Sequence, residues 1–265
     1  MAYRYTTFGS LSIPQVGASH EISPARPPVY LIPLQTGGAF DPQGSETPRG
    51  GAQSIQVHGV LTAATPAALA TAYAAWAAAL GTRATLTRVI ATSGLDREET
   101  ATARLVAMQA VRTPGWATLQ PIDLAFAVSS ACWKGAAHSV GPTALTTAPQ
   151  TVTLANDGNK PVFDPVITIT AAGTAITKVE LAIVAVSCAI EWEGSVAAGE
   201  ALVIDCGARS IKNDGDDAYS GFALASGHAN RAWIELAAGN NSLVVTRTGG
   251  STSSTVAATY NDGWA

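Results

Sequence analysis

The stretch TVTLANDGNKPVFDPVITIT, Thr151 to Thr170, decides how the chain is read. In TVTLAN the apolar Val152 and Leu154 alternate with threonines. In VITIT, Ile167 and Ile169 fall on one face, opposite Val166 and the threonines. This period-2 pattern belongs to strands packed on one side. Between the two runs, Asn156-Asp157-Gly158-Asn159 offers residues that tolerate positive φ, and Pro161 and Pro165 remove ladder donors. Two short strands joined by a tightly specified loop are expected here, with the loop approaching a neighbour closely and the pair opening a second domain.

Composition bounds the possibilities. A chain of 265 residues holds one large β domain or two ordinary ones, each with its own core. Charged residues make up only 13% and hydrophobic ones 47%, much of it alanine, and no apolar run approaches the length of a membrane span. No charged segment followed by an apolar one stands near Met1, so synthesis and assembly in the cytoplasm are expected. A net charge of -4, with basic residues scattered singly, argues against a phosphate-binding groove. Cys132, Cys188 and Cys206 are an odd, widely spaced set without CxxC spacing, so buried free thiols are expected instead of a zinc site or a disulfide framework.

Met1 to about Pro28 has few periodic apolar positions and four prolines, and reads as an extended arm. Val29 to Ile32 is a short strand. Gln35 to Gln53, rich in Gly, Pro, Thr and Ser, reads as a long loop at an interface. Ser54 to Leu61 alternates strictly, with Ile55 and Val57 inward and His58 outward. One helix follows: Thr65 as N-cap, Pro66 at its first position, Leu69, Tyr73, Trp76 and Leu80 on one stripe, and Gly81 as the stop. Its other face is nearly all alanine and fits against another subunit or a sheet. Ala84 to Ala91 and Ala101 to Val111 form a long hairpin around a polar stretch from Ser93 to Glu99. Gly115 to Val128 forms a further β run carried by Leu119, Ile122, Leu124 and Phe126. Trp133 closes this first half, and the low-charge residues 134–150 read as a linker. The second half alternates in short segments bounded by Gly, Asn and Asp, as in an antiparallel sandwich, with no helix.

A series of fragments then takes on meaning together. They are the opening strand with Asn156, Gly158-Asn159 and a following proline; Ala198-Gly199-Glu200 before the strand LVID ending at Asp205; the turn Asn213-Asp214-Gly215; the run from Trp233 to Asn241; and the terminal TYNDGWA. In this order and spacing they resemble the C-terminal domain of distal tail proteins of long-tailed, non-contractile bacteriophages. The element order of the first half is similar to that family's N-terminal domain. The resemblance implies a mainly β protein of two domains: residues 1–133 as a ring-forming, split-barrel-like domain with one helix, and residues 151–265 as a galectin-like antiparallel β-sandwich. It further implies a homohexameric ring in the virion's tail tip, with the tail tube protein, the hub or tip protein and a receptor-binding protein as partners. Leu69, Tyr73, Trp76, Leu80, Trp133, Asn156, Gly158, Pro165, Trp233 and Trp264 are the residues expected to carry packing and interfaces.

Chemistry has no foothold in the sequence. GxSxG, HExxH, P-loop and GxGxxG motifs are absent, and His20, His58, His138 and His228 lie far apart, so no catalytic residue and no cofactor is expected. Asp214, Asp216 and Asp217 lack the spacing and distal glutamate of a calcium loop and read as a hairpin turn. His228, Asn230, Arg231 and Trp233 superficially match a galactoside grip, but adjacent Asn230 and Arg231 would point to opposite faces of a strand. A carbohydrate-binding adhesin is the alternative reading, and a hydrolase with an unrecognised site the third.

Overall fold

The structure, a computed structural model, describes residues 2–14, 53–92, 95–110, 117–128, 132–224 and 233–264. The chain divides into two compact units, with the change-over between Gly135 and Ala136. The expected strand at Val29 to Ile32 and almost all of the loop from Gln35 to Gln53 lie outside the described residues.

The first unit holds strands β1 (Ala2–Phe8), β2 (Leu11–Ser12) and β3 (Gln53–Thr62), helix α1 (Pro66–Ala79), and strands β4 (Arg83–Thr92), β5 (Leu95–Ala110) and β6 (Leu119–Val128). β7 (Trp133–Ala144) begins in this unit and runs on into the second. Hydrogen bonding orders the sheet β2-β1-β4-β5-β6-β3, all antiparallel. β5 is the pivot, because its first ten residues pair with β4 and seven of its last eight pair with β6. A register shift between Leu105 and Ala107 marks the change of partner, the local bend by which a long strand serves both. Leu86, Ile90, Leu105, Ile122, Leu124 and Phe126 are buried on the inner face, which α1 covers with Leu69 and Trp76.

Three expectations for this unit are corrected. The N-terminal arm is in its first residues an integral strand: Tyr5 and Phe8 are buried, Phe8 lying 5.1 Å from Phe126 and 6.4 Å from Trp76 between ring centroids. A bulge between Tyr5 and Thr7 lets residues three apart face the same way, which breaks the period that marks a strand in sequence. The polar stretch from Asp96 to Glu99 is part of the start of β5, with Glu99 paired across the ladder to Arg88 of β4 and along its own strand to Arg97. Leu80 does not extend the buried stripe. The helix ends at Ala79, and Leu80 turns extended as its C-cap, 49% exposed. The N-terminal end is as expected, with Thr65 accepting a hydrogen bond from the Ala68 N–H at 3.2 Å and Pro66 at the first position.

The second unit is a sandwich of two antiparallel sheets. One runs β14 (Asp216–Asp217), β13 (Ser210–Asn213), β12 (Ala201–Asp205), β9 (Val166–Thr170), β17 (Thr255–Trp264), β7. The other runs β15 (Phe222–Leu224), β11 (Cys188–Val196), β10 (Ile176–Ile183), β16 (Gly239–Gly249), β8 (Gln150–Asn156). The alternation read from the sequence is the burial pattern observed: Val152 and Leu154, Ile167 and Ile169, Leu202 and Ile204 point into one core. Among the described residues, the helical structure in this unit amounts to two single 3-10 turns, Val184–Val186 and Tyr219–Gly221. Most of the expected linker, residues 134–144, is strand β7. Asp214-Gly215 forms the two-residue turn between β13 and β14 with φ of 48° and 92°, the positive pair that a type I′ hairpin needs. Cys188 and Cys206 are buried free thiols, whereas Cys132 is only half-buried.

Candidate functional site

The loop opened by Asn156-Asp157-Gly158 meets Asn261-Asp262-Gly263 near the C-terminus, so two Asn-Asp-Gly tripeptides clasp each other in the second unit. Asn156 is fully buried and satisfied on both sides of its amide. Its Oδ1 accepts from the N–H groups of Gly158 and Gly263, both at 3.1 Å, and its Nδ2 donates to the carbonyls of Lys160 at 2.8 Å and Ala237 at 3.2 Å. A side chain with two donors and a two-lone-pair acceptor is what this position requires. Gly158 is a glycine for want of space: a Cβ there would sit 1.8 Å from the Gly263 carbonyl oxygen. Asn241 repeats the device from the next corner, accepting from the Ala237 N–H at 2.9 Å and donating to the carbonyls of Ala237 at 2.9 Å, Gly239 at 3.0 Å and Leu154 at 3.3 Å.

Around the clasp stands a charged group that sequence reasoning missed. Asp262, 4% exposed, accepts at Oδ1 from the Asp157 N–H at 2.8 Å, and His138 Nε2 lies 2.9 Å from the same oxygen. The imidazole stacks on Tyr260, with centroids 5.1 Å apart and planes at 14°. The Tyr260 hydroxyl donates to the Ala155 carbonyl at 2.9 Å, and burial pushes its pKa up. His138 and Asp262 are 124 residues apart, and no spacing in the sequence links them.

The other sequence-selected residues are spread over both units. Leu69 and Trp76 are buried under α1, Tyr73 is half-buried and Leu80 is exposed. Trp133 is 1% exposed, with Arg88 Cζ 4.0 Å from its ring centroid. Arg88 in turn donates to Glu99, which is fully buried and also bound by Arg97 Nε at 2.6 Å. Pro165 is buried and its carbonyl accepts from Cys206 N–H at 3.1 Å. Trp233 stacks on Phe222 at 5.3 Å and packs against the sandwich core, while Trp264 is half-buried. His228, Asn230 and Arg231 lie outside the described residues. In the Ala-Gly-Glu motif, Glu200 Oε2 accepts from the Ala197 N–H at 2.8 Å, closing a turn in which Gly199 has φ of 96°. His58 faces outward, 2.7 Å from Asp123, beside a depression of about 180 Å³ lined also by Gln56 and Gln109. That lining holds one imidazole and one carboxylate, His58 and Asp123, among amide and apolar side chains.

The arrangement defines a mainly β protein of two compact units, one with a single helix and one a sandwich, in which the densest polar network locks backbone to backbone. Residues 157–264 match the family described as siphovirus-type tail component, C-terminal domain. Over its whole length the chain is similar in fold to the Dit protein of phage SPP1, a hub adsorption apparatus component, with a TM-score of 0.61 at 14% identity over 99% of both chains. A weaker likeness, TM-score 0.40 at 8% identity over 99% of this chain and 91% of the other, is to a chain of the phage P2 baseplate and carries no weight here. No curated protein sequence matches the chain. The tail-component match thus covers most of the second unit, and the chain as a whole shares its fold with SPP1 Dit.

Proposed function

We propose that the protein forms a homohexameric ring at the virion's tail tip, joining the tail tube to the baseplate hub and the host-recognition parts, and acts by assembly without catalysis. In this reading residues 1–133 build the ring, residues 134–150 connect, and residues 151–265 project as a galectin-like sandwich. The tube protein, the hub or tip protein and a receptor-binding protein are its partners, and assembly takes place in the host cytoplasm. The observation that carries the reading is the family match over residues 157–264, joined to a fold shared along the whole chain with SPP1 Dit.

Physical features of the first unit support self-association. The outer face of α1 is alanine without charge in its first or last turn, and Leu80 and Val106, each 49% exposed, stand on either side of the hydrogen bond from Gly81 N–H to the Leu105 carbonyl. An apolar surface of this kind suits a head-to-tail interface, which closes into a ring when its rotation divides the circle. Leu69, Trp76 and Trp133 serve as internal packing anchors, and Asn156, Gly158 and Pro165 hold the sandwich corner. Mass photometry of the purified chain, alone and with tube or hub partner, tests the ring, and negative-stain images test its shape. A chain that stays monomeric with both partners present overturns the reading.

A further inference from the structure

Beyond assembly, the second unit contains a set of metal-ligand side chains. His138 on β7, Asp157 on the β8–β9 loop and Asp262 on β17 each offer one donor atom, and all three atoms lie within 4.8 Å of one another. We propose that these three residues bind one divalent transition-metal ion, of the Zn²⁺, Mn²⁺, Co²⁺ or Ni²⁺ class, which ties β17 and the β8–β9 loop to β7.

The geometry is that of adjacent ligands. His138 Nε2 and Asp262 Oδ1 are 2.9 Å apart, and neighbouring donors on an octahedral ion with bonds of about 2.1 Å are separated by about 3.0 Å. Stacking on Tyr260 fixes the imidazole plane, and burial of Asp262 fixes its carboxylate. Asp157 is exposed, so its side chain is free to close over the ion while solvent fills the remaining positions.

Electrostatics supplies an independent reason. A buried carboxylate needs a counter-charge or a metal. Among the described residues, the partner at ion-pair distance from Asp262 is His138, itself a metal-ligand side chain. With Asp157 alongside, the group brings together two carboxylates, whose charge a divalent ion offsets. The donor set also selects the ion. Calcium and magnesium take oxygen ligands, whereas imidazole with carboxylates suits first-row transition ions. On metal binding the imidazole proton resides on Nδ1, leaving the Nε2 lone pair for the ion.

The test uses the full chain stripped with chelator. Calorimetric titration with Zn²⁺, visible absorption with Co²⁺ and thermal unfolding with and without Zn²⁺ are expected to show one saturable ion per chain and a raised melting temperature. Asp157→Asn, an exposed change, should leave metal-free melting unchanged and weaken binding about tenfold or more, and His138→Gln should weaken it similarly. Asp214→Asn, in the distant hairpin turn, should bind as the parent does. No saturable binding, or equal affinity for the parent and Asp157→Asn, overturns the site.

Discussion

Gly158 and Gly263 are packed backbone against backbone: a Cβ on Gly158 would stand 1.8 Å from the Gly263 carbonyl oxygen, and one on Gly263 would stand 2.6 Å from the Lys160 carbonyl. Neither obstacle is a flexible side chain, so relief requires the clasp to open. Gly158→Ala is therefore expected to destabilise the second unit by about 2–4 kcal/mol, read as a lower urea midpoint. An unchanged midpoint would show that the loop yields without loss.

Asn156 separates two kinds of loss. Asn156→Ala orphans the Gly158 and Gly263 N–H groups and the Lys160 carbonyl, at roughly 1–3 kcal/mol for each buried group left unpaired. Asn156→Asp keeps the acceptor but aims a second carboxylate oxygen at the Lys160 and Ala237 carbonyls. The aspartate variant is expected to be the less stable at neutral pH. Denaturant unfolding of the two side by side decides.

In the first unit the buried carboxylate of Glu99 lies between Arg88 and Arg97. Glu99→Gln leaves Arg88 buried without its anion, a change expected to cost about 3–5 kcal/mol. Replacing both partners together, Arg88→Met with Glu99→Leu, should recover most of it, because an apolar pair needs no counter-charge. Thermal melts that rank the double variant below the single one would contradict this account.

Burial pushes the Cys206 thiol up to about 12 from a usual 9.0. Above pH 9 the unfolded chain ionises at this group while the folded one does not, so the folded state binds the extra proton and stability falls as pH rises. The contribution is constant below about pH 9 and is lost between there and about pH 12, by about 1.4 kcal/mol for each pH unit within the window. Cys206→Ser should flatten that part of the stability curve. Native-state alkylation at pH 9 should also spare Cys206, with labelling appearing only on unfolding.

Leu80→Glu and Val106→Glu test the surface assigned to the ring. Both residues are exposed, so melting should shift by no more than about 0.5 kcal/mol equivalent while the oligomer dissociates in mass photometry. An intact ring in both variants would move the interface elsewhere.

Much of the architecture was legible because its causes are local. The alternation in Thr151–Asn156 and Val166–Thr170, the cap at Thr65 with Pro66, and the positive-φ turn at Asp214-Gly215 depend on residues within one turn or one strand of each other. The same holds for the order of turn motifs that pointed to a tail protein. Where a local pattern was interrupted, the reading failed. The bulge in β1 put Tyr5 and Phe8 on one face, and the charges at the start of β5 concealed a strand in which Glu99 pairs with Arg88 of the neighbouring strand.

The clasp could be decided only by the tertiary structure. Asn156, Gly158 and Pro165 were visible as turn residues, but their partners were not. The contact between Asp157 and Asp262 spans 105 residues and that between His138 and Asp262 spans 124, and both depend on the pairing of β17 with β9 and β7. Sequence spacing determines which side chains share a strand face. Which strands become neighbours, and so which distant carboxylates and imidazoles meet, is set by the packing of two sheets around one apolar core.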